Sequence, residues 1–374
     1  FKQKTAYEIG VRLVGSEMCI RDRSIEWVEL ASPGPGEVQV RLSACAICQS
    51  DITYMSGVWG GDLPAVYGHE AVGVVESLGS GVSKVHEGES VLVTLLRSCG
   101  ECLFCRSGDE PLCEGEVSLD IHSPLTDTQG NSIVQGLRTA GFTEAVVVSE
   151  SQITSIPADI PAQSAALLAC GVITGYGAVA RVAGVPPGSR VVTLGAGGVG
   201  LNCIQTAAIV GAVTNIAVDL SPNKLKAAMA FGATHALSAA CPDVVDEIKA
   251  LTAGRGADYV FVATGSGSAM AVAPLLVRRG GTVVLVGMAP SGVKVHYEPL
   301  DIANDSIRLI GSKMGGARLQ TDIPTLLAHY RSGRLKLDEL VSGCYSLEDI
   351  NKAIDSVKRG EALRNVIVFS GENA

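Results

Sequence analysis

The sequence predicts an α/β chain in two parts, a compact β-rich domain and a doubly wound parallel sheet. Three observations predict it. From Ile25 to Val148 the pattern is short apolar alternation broken by Gly and Pro, from Ser164 onward apolar strands alternate with helical segments, and a glycine-rich turn joins a strand to a helix near the start of that second pattern. At 374 residues the chain has room for both parts. With 47% hydrophobic and 18% charged residues it can bury a sizeable core.

In the first part Glu37–Leu42, Ala71–Glu76 and Ser90–Val93 read as strands, and Thr143–Val148 continues them. In the second, strands at Val191–Leu194, Ile216–Val218, Tyr259–Val262 and Val283–Val286 alternate with helices at Val199–Val210, Pro222–Phe231, Asp243–Thr252 and Ser268–Leu276. After about Gly315 the chain turns helical at Ile323–Ser332 and Leu347–Arg359, then ends on an apolar strand, Asn365–Phe369. This tail is expected to return to the first domain, giving residues 24–170 with 315–374 as one domain, carrying a metal lobe at 97–114, and 171–314 as the other. No internal repeat is evident. The apolar run Val191–Val213 is long enough to raise a membrane span, but Gly195, Gly197, Gly198 and Gly200 interrupt it and Asn202 and Gln205 lie inside it, so strand, turn and helix fit better.

The stretch Lys4–Arg23 resembles the conceptual translation of a sequencing-adapter tail. On that reading natural sequence starts near Ser24, residues 1–23 are a non-native extension and the true first strand is missing; an ordinary N-terminal extension is the alternative. Residues 1–23, Cys19 among them, are therefore kept out of the functional reading. The net charge of -9 without a basic stripe argues against nucleic acid as a partner. Eleven cysteines, an odd number and partly clustered, favour reduced thiols and metal over a disulfide framework, and a cytoplasmic location with no membrane partner.

Cys99, Cys102, Cys105 and Cys113 are spaced C-x2-C-x2-C-x7-C. Zn²⁺ takes four soft ligands in a tetrahedron, and closely spaced thiolates on a turning backbone supply them. Gly100 lets the chain turn between the first two sulfurs, and Gly108 and Pro111 bend the longer return. Four thiolates leave no open position, so this site reads as structural. Two disulfides or four unrelated core cysteines are the bland alternatives.

Gly195-Ala196-Gly197-Gly198-Val199-Gly200 follows a strand and opens a helix, the context in which G-x-G-x-x-G cradles a dinucleotide. Gly195 serves the tight turn, Gly197 the approach of a pyrophosphate, and Gly200 the packing of helix on sheet. The helix N-terminus offers free N–H groups to the phosphates. Asp219 ends the next strand about twenty residues on, where a carboxylate accepts ribose hydroxyls and repels a 2′-phosphate, which favours NAD over NADP. Lys224 adds a candidate contact to the same ribose. A purely structural turn, with Asp219 as a helix cap, is the competing reading.

Three further potential ligands stand in suggestive settings: Cys48 in Cys48-Gln49-Ser50-Asp51, His69 in Gly68-His69-Glu70, and Cys170 in Ala169-Cys170-Gly171. Cys₂His with one open position is a catalytic zinc set. Taken singly, each is more often a buried small hydrophobe or a hydrogen-bonded ring.

Taken together, these motifs resemble the zinc-dependent medium-chain alcohol dehydrogenases. The likeness runs from about Ile25 to Phe369 and rests on Pro33-Gly34-Pro35-Gly36-Glu37-Val38, the Cys48–Asp51 segment, Gly68-His69-Glu70, the four-cysteine lobe, Cys170-Gly171-Val172-Ile173-Thr174-Gly175-Tyr176-Gly177, and the glycine loop. It implies a GroES-like catalytic domain and a Rossmann domain, a catalytic zinc on Cys48, His69 and Cys170, a structural zinc on Cys99, Cys102, Cys105 and Cys113, NAD as cofactor, and a homodimer or homotetramer joined at the Rossmann sheet edge, with Ser306–Gly311 as candidate edge strand. It also implies the chemistry. An alcohol oxygen at the open zinc position has its pKa lowered, Ser50 accepts the proton, and hydride passes to the nicotinamide. Asp51 is then the partner of the His69 imidazole, and Glu70 stands behind the metal. Thr174 and Arg364 match positions near the nicotinamide end and the pyrophosphate.

The chain departs from the family in three places. Thr53 stands where some members end the proton relay on a histidine. Gln49 replaces a basic residue. Val117 replaces the arginine of the glutathione-dependent, formaldehyde-oxidising class, although the sequence Leu337–Val341 looks similar to that class. The first reading is thus an NAD-dependent zinc alcohol dehydrogenase of primary or secondary alcohols. The alternatives are an S-(hydroxymethyl)glutathione dehydrogenase and, in another class, a non-catalytic zinc- and nucleotide-binding redox sensor. Trp59, Val66, Leu95, Leu119 and Met288 are candidates for the substrate pocket, each equally plausible as core.

Overall fold

The computed structural model describes residues 7–13 and 21–369. The adapter-like stretch therefore falls partly outside the described residues, Cys19 with it. Along the chain the strands are Tyr7–Leu13 (β1), Arg21–Leu30 (β2), Glu37–Ala46 (β3), Ala65–Val66 (β4), Glu70–Leu78 (β5), Ser90–Thr94 (β6), Leu125–Asp127 (β7), Ser132–Gln135 (β8), Ala145–Ser149 (β9), Ile153–Ser155 (β10), Arg190–Leu194 (β11), Thr214–Asp219 (β12), His235–Ser238 (β13), Ala257–Val262 (β14), Val277–Leu285 (β15), Arg308–Gly311 (β16), Val341–Tyr345 (β17) and Arg364–Val368 (β18). The α-helices are Gln49–Met55 (α1), Leu103–Ser107 (α2), Ser118–Ile121 (α3), Ala162–Ala166 (α4), Gly171–Gly177 (α5), Gly198–Ile209 (α6), Pro222–Ala230 (α7), Val244–Leu251 (α8), Gly267–Leu276 (α9), Pro299–Asn304 (α10), Leu319–Arg331 (α11) and Ile350–Lys358 (α12). Among the described residues no single helix is long and apolar enough to cross a membrane. The apolar run at Val191–Val213 is β11, the glycine turn and α6.

The chain divides into two compact units. The first takes the residues up to Cys170, with Arg318–Ile323 and Leu337 onward; the second takes Gly171–Ala317 with Pro324–Lys336. Part of the C-terminal segment, 324–336, thus belongs with the second unit.

In the first unit one sheet runs β10-β6-β5-β3-β18-β17, with β9 also on β3, and a second runs β1-β2-β7-β8-β4. The backbone of β1 pairs antiparallel with β2 from Tyr7 opposite Trp27 to Leu13 opposite Arg21. Alternate residues of β3 (Val38, Val40, Leu42), β6 (Val91, Val93) and β9 (Val146, Val148) turn into one core with Phe142, Ile350, Ile354 and Ile367. Each such buried aliphatic side chain contributes about 1.5–3 kcal/mol relative to exposure. The C-terminal strand joins this sheet in register, Val366 opposite Ala46.

The second unit is one sheet, β13-β12-β11-β14-β15-β16, parallel throughout. Its strands are apolar on both faces. Val192, Leu194, Val260, Val262 and Val283 point to one core with Ile248 of α8 and Met270 of α9, while Val191, Phe261 and Val284 point to another with Cys203 and Ala207 of α6. Burial on both faces requires helices on both, the doubly wound arrangement. β16 is a terminal strand of the sheet.

Candidate active site

The lobe builds from a short helix. Cys102 caps α2, its sulfur accepting from the Cys105 N–H at 3.5 Å, and Gly108 closes the helix in the left-handed conformation. Cys99 Sγ accepts from the Cys102 N–H at 3.4 Å, and Cys113 Sγ from the Cys99 N–H at 3.3 Å. Such N–H···S bonds favour thiolates. The Cys105 N–H draws the Cys102 pKa down to about 6, whereas burial and then its neighbour Cys102 push Cys105 up to about 12. All four sulfurs are free thiols and lie within 4.8 Å of one another, too far apart for disulfides and close enough for a single ion. Only a cation can make all four anionic together.

The second cluster, also in the first unit, is assembled around Asp51. Cys48 is the N-cap of α1, and Asp51, three residues on, accepts the Cys48 N–H on Oδ2 at 3.0 Å. Its Oδ1 accepts the Gly68 N–H at 2.9 Å and meets His69 Nδ1 at 2.9 Å. One fully buried carboxylate therefore holds two segments and fixes the ring with Nδ1 as donor. His69 Nε2 is left buried and without a hydrogen-bond partner among the described residues, as is Glu70 Oε1. The ligand atoms of Cys48, His69, Glu70 and Cys170 all lie within 4.8 Å of one another.

The electrostatics are those of a set short of positive charge. Hydrogen bonding with Cys170 draws the Cys48 thiol well below its ordinary value against the cost of burial, and Cys48 together with burial pushes Cys170 well up. Burial opposes the His69 cation, but the charge and hydrogen bond of Asp51 outweigh it and raise the pKa. Burial raises Glu70 to about 8, with the Arg364 guanidinium pulling back. Two soft thiols, one of them keeping its proton, and an aimed imidazole nitrogen fit a Zn²⁺ ion, which would displace that proton.

In the second unit the glycine loop follows β11. Gly195 turns at φ +92°, and a Cβ on Gly200 would lie 1.8 Å from the Gly195 carbonyl oxygen, so both must lack a side chain. Around Gly197 a Cβ would meet nothing within 4 Å. Gly197 caps α6 without a side-chain bond, leaving Gly198, Val199 and Gly200 to present a helix N-terminus. Asp219, at the end of β12, accepts the Ala196 N–H on Oδ2 at 2.7 Å and the Ser221 N–H on Oδ1 at 2.8 Å, so the carboxylate is pinned beside the loop. Lys224 lies in the first turn of α7, whose N-cap is Ser221. The room at Gly197, the uncapped helix and the pinned acid fit a dinucleotide.

The remaining residues singled out by sequence are placed as follows. Ser50 is half-buried in α1, two residues after Cys48. Thr53 donates its hydroxyl to the Gln49 carbonyl on the same helix at 2.8 Å. Thr174, buried in α5, donates to the Met314 sulfur at 3.5 Å. Arg364 is buried in the first unit with Nη2 on Glu70 Oε2. Of the pocket candidates, Val66 and Leu119 are core and Met288 is exposed, while Trp59 packs edge-on to Tyr54 with ring centroids 5.3 Å apart.

Sequence reasoning missed a buried polar chain. Arg97, 3% exposed, donates to Gln152 Oε1, Asp120 Oδ1, Gln135 Oε1 and the Arg138 carbonyl. Gln152 donates in turn to the carbonyl of Thr94. Nothing local marks these residues, because their partners are distant in sequence.

Comparison with known proteins places the chain among sequences of one kind. Residues 34–158 match a family described as alcohol dehydrogenase GroES-like domain, and residues 198–332 one described as zinc-binding dehydrogenase. The chain is 36% identical over 356 residues to Alcohol dehydrogenase-like 7 of Arabidopsis thaliana, covering 92% of this chain and 91% of that protein. It is 34% identical over 357 residues to an S-(hydroxymethyl)glutathione dehydrogenase of Paracoccus denitrificans, covering 91% and 95%. An alcohol dehydrogenase zinc-binding domain protein from Burkholderia ambifaria has the same fold, with TM-score 0.91 and 31% identity over 98% of this chain and 99% of that one.

Proposed function

The chain belongs to the zinc-dependent medium-chain alcohol dehydrogenase family, an oxidoreductase family using zinc and NAD(P), and from that premise we propose that it oxidises primary or secondary alcohols to aldehydes or ketones with NAD. The observation that carries this reading is the buried Cys48–His69–Cys170 set, with Asp51 turning the free nitrogen of His69 toward the two sulfurs. These three would hold the catalytic zinc, and Cys99, Cys102, Cys105 and Cys113 a structural one, two per chain. When bound, the catalytic zinc supplies a Lewis acid that lowers the pKa of an alcohol hydroxyl.

The residues supply the rest. Asp51 keeps the proton of His69 on Nδ1, so that Nε2 stays a ligand. Ser50 takes the substrate proton. Thr53 is engaged on its own helix and does not titrate near neutrality, so it would not end a proton relay that starts at Ser50. Asp219 holds the ribose hydroxyls and repels a 2′-phosphate, and the α6 N-terminus takes the pyrophosphate. Glu70 and Arg364, hydrogen-bonded and buried, would lie next to the residues that hold the zinc. A homodimer or homotetramer built on β16 is the assembly we expect.

A second reading, oxidation of the glutathione–formaldehyde adduct, is favoured by relatives named S-(hydroxymethyl)glutathione dehydrogenase, that of Paracoccus denitrificans among them, and by the likeness of Leu337–Val341 to that class. Val117 counts against it, since it offers no charge to an anionic adduct and lies between Glu114, Glu116 and Asp120. The test is NADH and NADPH formation by zinc-loaded protein across a panel of alcohols, with formaldehyde plus glutathione as one member. Turnover of simple alcohols with NAD, lost in Cys48→Ala, is the expected result. Turnover of the adduct alone selects the second reading, and two bound zinc ions with bound NAD but no turnover select a sensor.

A further inference from the structure

We propose that Thr94 is a positioning residue for Cys170. Its hydroxyl fixes the third thiol against the two ligands that Asp51 already grips. The inference rests on the catalytic-zinc reading above. Asp51 bonds to the backbone of Cys48 and Gly68 and to the His69 ring. The segment before Cys170 is a turn of 3₁₀-helix, Leu167–Ala169, and Cys170 itself leaves helical geometry at φ -144°, ψ -71°. Local helical bonding therefore does not set where its sulfur points.

Thr94 spans the gap. In the antiparallel pair of β5 and β6 it lies opposite Glu70, the residue after His69. Its Oγ1 donates to the carbonyl of Ala169, the residue before Cys170, at 2.6 Å. One buried side chain thus joins the strand that follows one ligand to the peptide that carries another. Threonine suits the task, because a β-branched side chain has few rotamers.

Thr94 is itself held. Its carbonyl accepts Gln152 Nε2 at 2.8 Å, and Gln152 Oε1 accepts Arg97 Nε at 2.8 Å. The Arg97 guanidinium is committed on its remaining sides to Asp120, Gln135 and the Arg138 carbonyl. Thr94 and Gln152 are fully buried. A buried charge with its donors occupied cannot shift without leaving a donor unpaired, so the chain behind Thr94 is stiff. Arg97 also stands two residues before Cys99, at the root of the lobe.

A threonine that only satisfied a buried carbonyl would stabilise the fold without governing the metal. The experiment separates the two roles in the full zinc-loaded chain. It follows zinc loss to a chelator, with the lobe zinc as internal reference, and the thiolate-to-metal absorption after Co²⁺ replacement. Thr94→Val is expected to lose zinc from the three-ligand site about tenfold faster and to shift the Co²⁺ band. Thr94→Ser should restore both. Thr143→Val removes an equally buried hydroxyl, bonded to the carbonyls of Ala140 and Ala145, and should lower Tm without speeding zinc loss. If Thr94→Val does not fold, Thr94→Ala is read in the same way. Unchanged zinc retention and an unchanged band in the Thr94 variant overturn the inference, as does equal acceleration in Thr143→Val. A wild-type chain holding only the lobe zinc overturns the catalytic-zinc reading, and this inference with it.

Discussion

The four thiols of the lobe come from one turn-rich stretch, lie partly open to solvent, and bond mostly to one another's backbone N–H groups. The Cys48, His69 and Cys170 set comes from three separate segments, is almost wholly enclosed, and has acceptors and donors from outside its ligands built around it. The first cluster needs little beyond its own spacing. The second depends on a carboxylate and a hydroxyl that are not ligands at all. A closed, local set suits a metal that holds structure, whereas a set with one ligand too few for a tetrahedron, in a buried and precisely braced setting, suits a metal that does chemistry.

That contrast can be broken at either end. The largest effect is expected from Cys170→Ala. NADH formation should fall below detection while one zinc equivalent, that of the lobe, remains by metal analysis; loss of both ions would mean that the two sites are not independent. Cys102→Ala should do the reverse, removing the lobe zinc and lowering Tm by on the order of 10 °C while the remaining folded protein keeps its activity per catalytic zinc. An unchanged melting curve would deny the lobe its structural part. Asp51→Asn should weaken zinc at the three-ligand site by about 10–100-fold, measured by competition with a chelator, and leave the lobe untouched.

The smallest effect sharpens the comparison through pH. In metal-free protein Glu70 has its pKa raised from 4.5 to about 8, chiefly by burial. Between those values the folded chain holds a proton that the unfolded chain has released, so the contribution of Glu70 to stability is present below pH 4.5 and is lost as pH rises toward 8. Denaturant titrations of the metal-free protein should show a slope of at most about 1.4 kcal/mol per pH unit from this group. Glu70→Gln should flatten that slope relative to wild type; an identical pH profile would refute the assignment.

The same contrast explains what could be read before the fold was known. The lobe was legible because its ligands are neighbours in sequence, and the glycine loop because its turn, helix and acid keep fixed offsets. The partnership of Asp51 with His69 was anticipated, but its simultaneous hold on the Cys48 and Gly68 backbones was not, since only folding brings the start of α1 against the start of β5. Cys48, His69 and Cys170 became a set only through resemblance to a family. Arg97, Gln152 and Thr94 gave no signal, because a polar residue inside a strand looks the same whether its side chain meets water or a buried carbonyl. The family resemblance makes Arg364 a candidate cofactor contact, and its hydrogen bond to Glu70 joins β18 to β5.

The order of the ligands along the chain also sets a timetable for synthesis. A ribosome extends the polypeptide from its N-terminus at about 5–20 residues per second. Cys113 leaves it several seconds before Cys170. The lobe closes only a short loop, at small entropic cost, and has its complete ligand set while the rest of the chain is still being made. Cys48 and His69 must wait for Cys170, the last residue of the first unit before the chain enters the second. If both sets take zinc as proposed, metallation would be sequential, with the lobe able to compete for scarce zinc in the nascent chain and the three-ligand site completed only after Cys170 has been released.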